Sequence, residues 1–169
     1  MFKRFFKRKS KHESKKLESK KQPYQEISLS QISFNKNFDS PVKILIVDDA
    51  DINRYVLKRY IEIYKKNHNV LIDIHEAANG LECLEKVKNT DYNIIFMDLI
   101  MPFMGGIEAT KKIFERKSNQ ILIIGLTGQI EQDTQEKIKE SGMQYCIHKP
   151  VEMDTIHSIL EIFLLDMNQ

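Results

Sequence analysis

Three features of this 169-residue sequence predict an α/β fold built on a doubly wound parallel sheet. Short apolar runs alternate with amphipathic stretches from Val42 to the end, five such pairs fit into about 129 residues, and few residues remain for loops. Alternation of this kind buries strands between two layers of helices and requires parallel crossovers of one hand.

The first strand is expected near 43–48, where Lys43-Ile44-Leu45-Ile46-Val47 runs into Asp48-Asp49. The second is expected near 70–75. The third, near 93–98, is Asn93-Ile94-Ile95-Phe96-Met97-Asp98, an apolar run with no polar alternation, as in a strand covered on both faces. Strands near 121–126 and 144–148 complete the sheet. Helices are expected near 51–66, 79–88, 106–117, 130–141 and 152–166, the third opening after a turn marked by Pro102 and Gly105-Gly106. On the first helix, Ile52, Tyr55, Val56, Tyr60 and Ile63 read as the core stripe. Leu57, Ile61 and Tyr64 then form a surplus group that one buried face does not absorb, and Ile162 and Leu165 repeat this on the fifth helix. Surplus apolar residues on a small domain mark a partner surface.

Charge divides the chain. Residues 1–40 hold 11 Lys/Arg against 4 Asp/Glu, and residues 41–169 hold 15 against 20, so an acidic domain (41–169) follows a basic leader (1–40). The leader is rich in Lys and Ser without periodicity and reads as disordered. Its start, Met1-Phe2-Lys3-Arg4-Phe5-Phe6-Lys7-Arg8-Lys9, sets three rings among five cations. Residues 1–11 therefore suit weak contact with an anionic membrane surface or a nucleic acid, or serve simply to keep the chain soluble. No run approaches the ~18 apolar residues that span a bilayer, and the cations at the start interrupt any signal-peptide core. A cytoplasmic protein is expected, membrane-associated only through the leader or a larger parent protein. Cys83 and Cys146 have neither metal-site nor redox-motif spacing and are expected to be unpaired thiols.

In a doubly wound sheet the working crevice lies at the carboxyl ends of the strands. Asp48 and Asp49 follow strand one, Asp98 ends strand three, Thr127 follows strand four and Lys149 follows strand five, so all five fall on that edge. Three crowded carboxylates repel one another unless a cation joins them. A hard divalent ion, Mg²⁺ first among them, suits oxygen donors and leaves positions for water and a phosphoryl oxygen. Asp98 can then act as a nucleophile toward phosphorus, Lys149 as the ammonium that neutralises the equatorial oxygens, and Thr127 as a hydroxyl donor. Pro150 permits a cis bond that would aim Lys149. Taken singly, each has a plain structural role: Asp48 or Thr127 as a helix cap, Lys149 as a surface cation, Pro102 with the glycines as a turn. Their convergence on one edge carries the functional reading.

The ordered residues resemble the receiver domain of two-component response regulators, and in particular receivers attached to hybrid histidine kinases. The resemblance covers about 41–166. It is carried by Ile44-Leu45-Ile46-Val47-Asp48-Asp49 with Asn53, Asn79-Gly80, Met97-Asp98 through Met101-Pro102 to Gly106, Glu108-Ala109-Thr110, Leu126-Thr127-Gly128, Gly142-Met143 and Lys149-Pro150. It implies a flavodoxin-like (βα)5 sheet in the order 2-1-3-4-5. It further implies that Asp98 accepts a phosphoryl group from a phosphohistidine, that Asp49, Asp98 and the Ile100 backbone carbonyl ligate Mg²⁺ with Asp48 acting through water, and that Thr127 and Lys149 contact the phosphate. A histidine kinase or histidine-phosphotransfer protein is the implied partner, docking on helix one at Leu57, Ile61 and Tyr64.

Three departures from the family pattern stand out, the last of them at a pair of positions. Cys146 stands where an aromatic residue accompanies switching, and Gly105 stands where an Asp is usual. Ile100 and Gln129 occupy the two positions that tune loss of phosphate, and the apolar Ile100 predicts a long-lived phosphoaspartate. No DNA-binding module is read after the fifth helix, so output is expected through protein contacts, the leader or further domains. Two rival readings stand beside this one. A metal-dependent phosphatase with an aspartyl nucleophile would want an acid two residues after Asp98, where Ile100 stands. A receiver-fold binding module that takes no phosphate would have no need of the intact site.

Overall fold

The computed structural model describes residues 40–116, 121–128 and 132–167. The leader through residue 39, Gln129 and the side chain of Leu165 lie outside the described residues. Strands β1 (Val42–Val47), β2 (Ile72–Ala77), β3 (Ile94–Asp98), β4 (Leu122–Thr127) and β5 (Tyr145–His148) alternate with helices α1 (Asp51–His68), α2 (Gly80–Asn89), α3 (Gly106–Arg116), α4 (Gln132–Ser141) and α5 (Met153–Met167). All pairings are parallel and the strand order is β2-β1-β3-β4-β5, as the resemblance implied.

Burial explains the strand sequences. β3 and β4 are buried at every residue, which is why they read as unbroken apolar runs. β2 lies at an edge of the sheet and is only partly covered, so it admits Asp73, His75 and Glu76. It begins two residues later than expected. Asn69 takes a left-handed conformation (φ 52°) and Val70 donates its N–H to the Lys65 carbonyl, so Val70, apolar as it is, closes α1 instead of opening the strand.

The two faces of the sheet carry separate cores. Ile44, Ile46, Phe96 and Ile124 meet α1 and α5 through Leu57, Ile61, Ile156, Leu160 and Phe163. Leu45, Val47, Met97 and Ile123 meet the other helices through Cys83, Val87, Ala109, Ile113 and Ile138. This overturns the assignment of faces on α1. Leu57, Ile61 and Tyr64 are the buried residues of that helix, at 4%, 0% and 4% exposure, and are not a docking surface. Ile52 and Tyr55, expected inside, are exposed. The reason is position along the helix: Ile52 and Tyr55 occupy the first turns, at the rim of the sheet. Leu57, Ile61 and Tyr64 share one face (i, i+4, i+7) above the sheet, where the Tyr64 ring meets His157 of α5 edge-on with centroids 5.3 Å apart.

Charge is sorted by edge. Because every helix starts at the carboxyl edge of a parallel sheet, the first-turn acids Asp51, Glu82, Glu108 and Asp154 gather there. The last-turn bases Lys65, Lys66, Lys86, Lys88, Arg116 and Lys139 gather at the amino edge. Each sign opposes its helix dipole favourably, and the sum polarises the domain. No helix among the described residues is long and apolar enough to cross a membrane.

Candidate functional site

The register of the sheet brings the site together. β1 pairs with β3 up to Val47 and Met97, so Asp48 and Asp98 emerge side by side. β3 pairs with β4 at Asp98 and Leu126, and β4 with β5 at Thr127 and His148, which sets Thr127 and Lys149 next along the edge. The Lys149 N–H donates to the Thr127 carbonyl at 2.7 Å, and the Lys149-Pro150 bond is cis, as the sequence suggested.

Lys149 is the hub. Its Nζ donates to Asp48 Oδ2 and to Asp98 Oδ2, each at 2.7 Å. Asp48 is 1% exposed and its other oxygen, Oδ1, accepts the Ala50 N–H at 3.0 Å. Asn53 Nδ2 donates to both Asp48 oxygens, at 3.0 and 3.2 Å. Asp98 Oδ1 accepts the Ile100 N–H at 3.3 Å. Thr127 is buried beside them, while Asp49 is exposed and faces solvent. Every side chain nominated from the sequence therefore lies at one edge. The Ile100 side chain points to water, at 76% exposure, and its backbone N–H holds the Asp98 carboxylate.

The electrostatics follow from burial. Removal from water pushes the Asp98 carboxyl above its ordinary range, the nearby Asp48 charge adds to that, and the bonds from Lys149 and the Ile100 amide offset only part of it. Burial pulls the Lys149 ammonium down, but its bonds to Asp48 and Asp98 more than offset this and hold it above its usual value. Lysine therefore stays charged between two carboxylates, with one more acid nearby than it can neutralise. Asp48, Asp49 and Asp98 each offer an oxygen within 4.8 Å of the others. That donor set fits a hard divalent cation, and receiver domains typically bind Mg²⁺ at such an acidic pocket.

Two supporting residues had no role in the sequence reading: Asn53 entered only as part of the resemblance, and Arg54 not at all. Asn53 clamps Asp48, and Arg54 donates to the Asp48 carbonyl at 2.6 Å while pairing with Asp51 and reaching Glu76 at 3.5 Å. Their sequence signal is a polar pair within six residues of a strand-end acid, which any exposed helix start also shows. Gly106 was read as a turn residue and has a sharper role: a Cβ there would lie 2.2 Å from the Asp98 carbonyl oxygen. Only glycine lets α3 begin directly against the end of β3.

A parallel sheet that gathers three acids and one lysine at its switch-point edge defines a class of acidic-pocket domain suited to holding a cation and an anion together. The family model for the response regulator receiver domain matches residues 44–161, and the chain belongs to that family. It is 32% identical over 120 residues to the autoinducer 2 sensor kinase/phosphatase LuxQ of Vibrio parahaemolyticus, covering 71% of this chain and 13% of that protein. It is 34% identical over 119 residues to the sensor protein EvgS of Escherichia coli, covering 70% and 9%. The chain thus matches only about a tenth of the length of these relatives. A crystal structure of a two-component response regulator from Clostridium difficile superposes with a TM-score of 0.66 at 26% identity, over 76% of this chain and 99% of that one. The protein is a receiver domain of the two-component and phosphorelay type.

Proposed function

We propose that Asp98 accepts a phosphoryl group from a phosphohistidine on a histidine kinase or histidine-phosphotransfer protein. The observation that carries this reading is the Lys149 ammonium held 2.7 Å from both buried carboxylates. An Asp98 oxygen forms the new P–O bond, the P–N bond to the donor imidazole breaks, and the imidazole keeps the electron pair and takes a proton. Lys149 exchanges a carboxylate contact for a phosphoryl oxygen, and the Thr127 hydroxyl donates to another. Asp49, Asp98 and the Ile100 carbonyl would hold Mg²⁺, with Asp48 acting through water, and when bound the ion would supply charge neutralisation for in-line transfer.

The domain is a signalling receiver that promotes its own phosphorylation and dephosphorylation, at 41–169, following a separate leader at 1–40. It works in the cytoplasm, where phosphohistidine donors act and where Cys83 and Cys146 remain thiols. The exposed, apolar Ile100 beside Asp98 disfavours an attacking water, so the phosphoaspartate is long-lived; Ile100→Asn shortens its lifetime in a mass-monitored decay. The primary test is incubation with acetyl phosphate and Mg²⁺ followed by intact-mass measurement. One phosphate adduct, absent in Asp98→Ala, is expected. Sustained phosphate release would instead favour a phosphatase, and an unreactive chain a binding module.

A further inference from the structure

Of the three acids at the site edge, two are held by their own side chains. Asp48 accepts from Lys149, Asn53 and the Ala50 N–H, and Asp98 accepts from Lys149 and the Ile100 N–H. Asp49 differs. It is exposed, and among the described residues its carboxylate makes no hydrogen bond or ion pair. Yet it offers an oxygen within 4.8 Å of the other two. With nothing gripping the carboxylate itself, its place in the donor set depends on the backbone that carries it.

That backbone is pinned on both sides of Asp49. The Ala50 N–H, which follows it, donates to Asp48 Oδ1 at 3.0 Å. The Asp48 carbonyl, which precedes it, accepts from Arg54 Nη1 at 2.6 Å. A peptide unit is planar, so holding that oxygen also holds the Asp49 nitrogen, and between two held peptides the Asp49 Cβ has little freedom of direction. Arg54 is itself fixed. Its side chain is 14% exposed, Nη2 pairs with Asp51, and Nε lies 3.5 Å from Glu76 Oε2 on β2. The planar fork is therefore oriented before it grips the carbonyl. Lys58 meets the same glutamate, Nζ to Oε1 at 2.7 Å, and has no bond to Asp48 among the described residues.

We propose that Arg54 is a positioning residue for the divalent cation: by holding the Asp48 carbonyl it keeps the Asp49 carboxylate in the donor set. The role rests on that pocket holding Mg²⁺, as proposed above. Two effects of the guanidinium oppose each other. Its charge repels a cation, so by Coulomb interaction alone its removal tightens Mg²⁺ binding. Its hold on the backbone orders Asp49 before the ion arrives, so by positioning its removal weakens binding. Asp51 and Glu76 already answer the charge, which leaves the hold dominant.

The test titrates Mg²⁺ into the full chain and follows the amide shifts of Asp49 and Ile100 by NMR. Arg54→Met keeps the aliphatic stem and loses the donors; it should bind Mg²⁺ ~10-fold more weakly. Before any metal is added, its Asp49 amide should already show a lower order parameter. Arg54→Gln, shorter and neutral, is a second variant that should weaken binding in the same direction. Arg54→Lys keeps a charged donor and should recover most of the loss. Lys58→Ala breaks the neighbouring pair with Glu76 and should bind Mg²⁺ as the native chain does. Labelling by acetyl phosphate gives a second readout, in which Arg54→Met should need ~10-fold more Mg²⁺ for its half-maximal rate yet reach the native rate at saturation. Native or tighter binding in both Arg54→Met and Arg54→Gln overturns the role. So does an unchanged order parameter, an Arg54→Lys as weak as Arg54→Met, a Lys58→Ala weakened to the same degree, or labelling that stays slow at saturating Mg²⁺. Each of these, with Mg²⁺ bound by the native chain, leaves the cation reading standing. A native chain whose shifts do not respond to Mg²⁺ overturns the cation reading and the role of Arg54 with it.

Discussion

The two faces of the sheet share a lining of branched aliphatic side chains and differ in their sulfur content. The α1/α5 face is filled by branched and aromatic side chains, among them Ile44, Ile61, Ile72, Phe96, Ile156 and Phe163, and among the described residues its buried cluster contains no sulfur. The opposite face gathers Cys83, Met97, Met104, Met143 and Cys146. There, three glycines also admit close approach: Gly80 against Met104, Gly106 against Met97 and the Asp98 carbonyl, and Gly125 against Met143 and Cys146. Branched and aromatic side chains have few rotamers and fix a surface, whereas methionine and cysteine adapt their shape to a neighbour that moves. The loop from Asp98 to Gly106 buries Leu99 and Met104 in the adaptable face. A charge change at Asp98 is therefore felt first where the packing can yield, while α1 and α5 hold the sheet in place.

The largest effect is expected from a truncation on the α1/α5 face, against which a volume-conserving swap on the other face serves as a check that the latter adapts. Phe163→Ala, at a fully buried position, is expected to lower unfolding stability by ~3–5 kcal/mol. Met143→Leu, on the other face, is expected to change it by less than ~1.5 kcal/mol. Urea unfolding of both variants measures the losses, and a Met143→Leu loss as large as that of Phe163→Ala would show that the sulfur-rich face does not adapt.

The acidic pocket gives a smaller effect with a defined sign. Folding raises the Asp98 carboxyl above its ordinary value, so the native state is favoured by a protonated Asp98. That advantage is complete below the carboxyl's unfolded value and lost as pH rises through the folded one. Asp98→Asn removes the buried charge, so the variant should melt higher than the wild type at neutral pH, with the difference shrinking on acidification. Thermal melts across the acid range read this out. A variant that melts lower at neutral pH would mean that the bonds from Lys149 outweigh the burial of the charge.

The thiols give the finest probe of the adaptable face. Burial pushes Cys83 to about 12 and Cys146 to about 11, so neither forms much thiolate near pH 8. Iodoacetamide should leave both unmodified in the native chain and alkylate both in urea. If phosphorylation loosens this face, Cys146 should become the faster of the two to react in the phosphorylated chain, by a mass-mapped time course.

Cys146 also shows where local pattern and tertiary context part. It is buried near Met143 and Gly125, while Tyr145 next to it is 39% exposed, as strand alternation requires. No ring therefore occupies the position at which the receiver resemblance implies an aromatic one.

The strands and the sheet edge at which Asp48, Asp49, Asp98, Thr127 and Lys149 gather were legible in the residues, and the strand order came with the receiver resemblance. Apolar runs ending in carboxylates place those acids at the carboxyl edge of a parallel sheet, and buried charges persist there only if something answers them. What the sequence left open was decided by neighbours distant along the chain. Two apolar stripes on α1 were equally regular, and only the position of the helix over the sheet, against α5, chose Leu57, Ile61 and Tyr64 for the core and left Ile52 and Tyr55 in water. Likewise the bridges of Lys149 across 101 residues to Asp48 and across 51 to Asp98 exist only once β1, β3 and β5 end at one edge of the same sheet. Periodicity fixes which residues share a face, but which face is buried is settled by what packs against it.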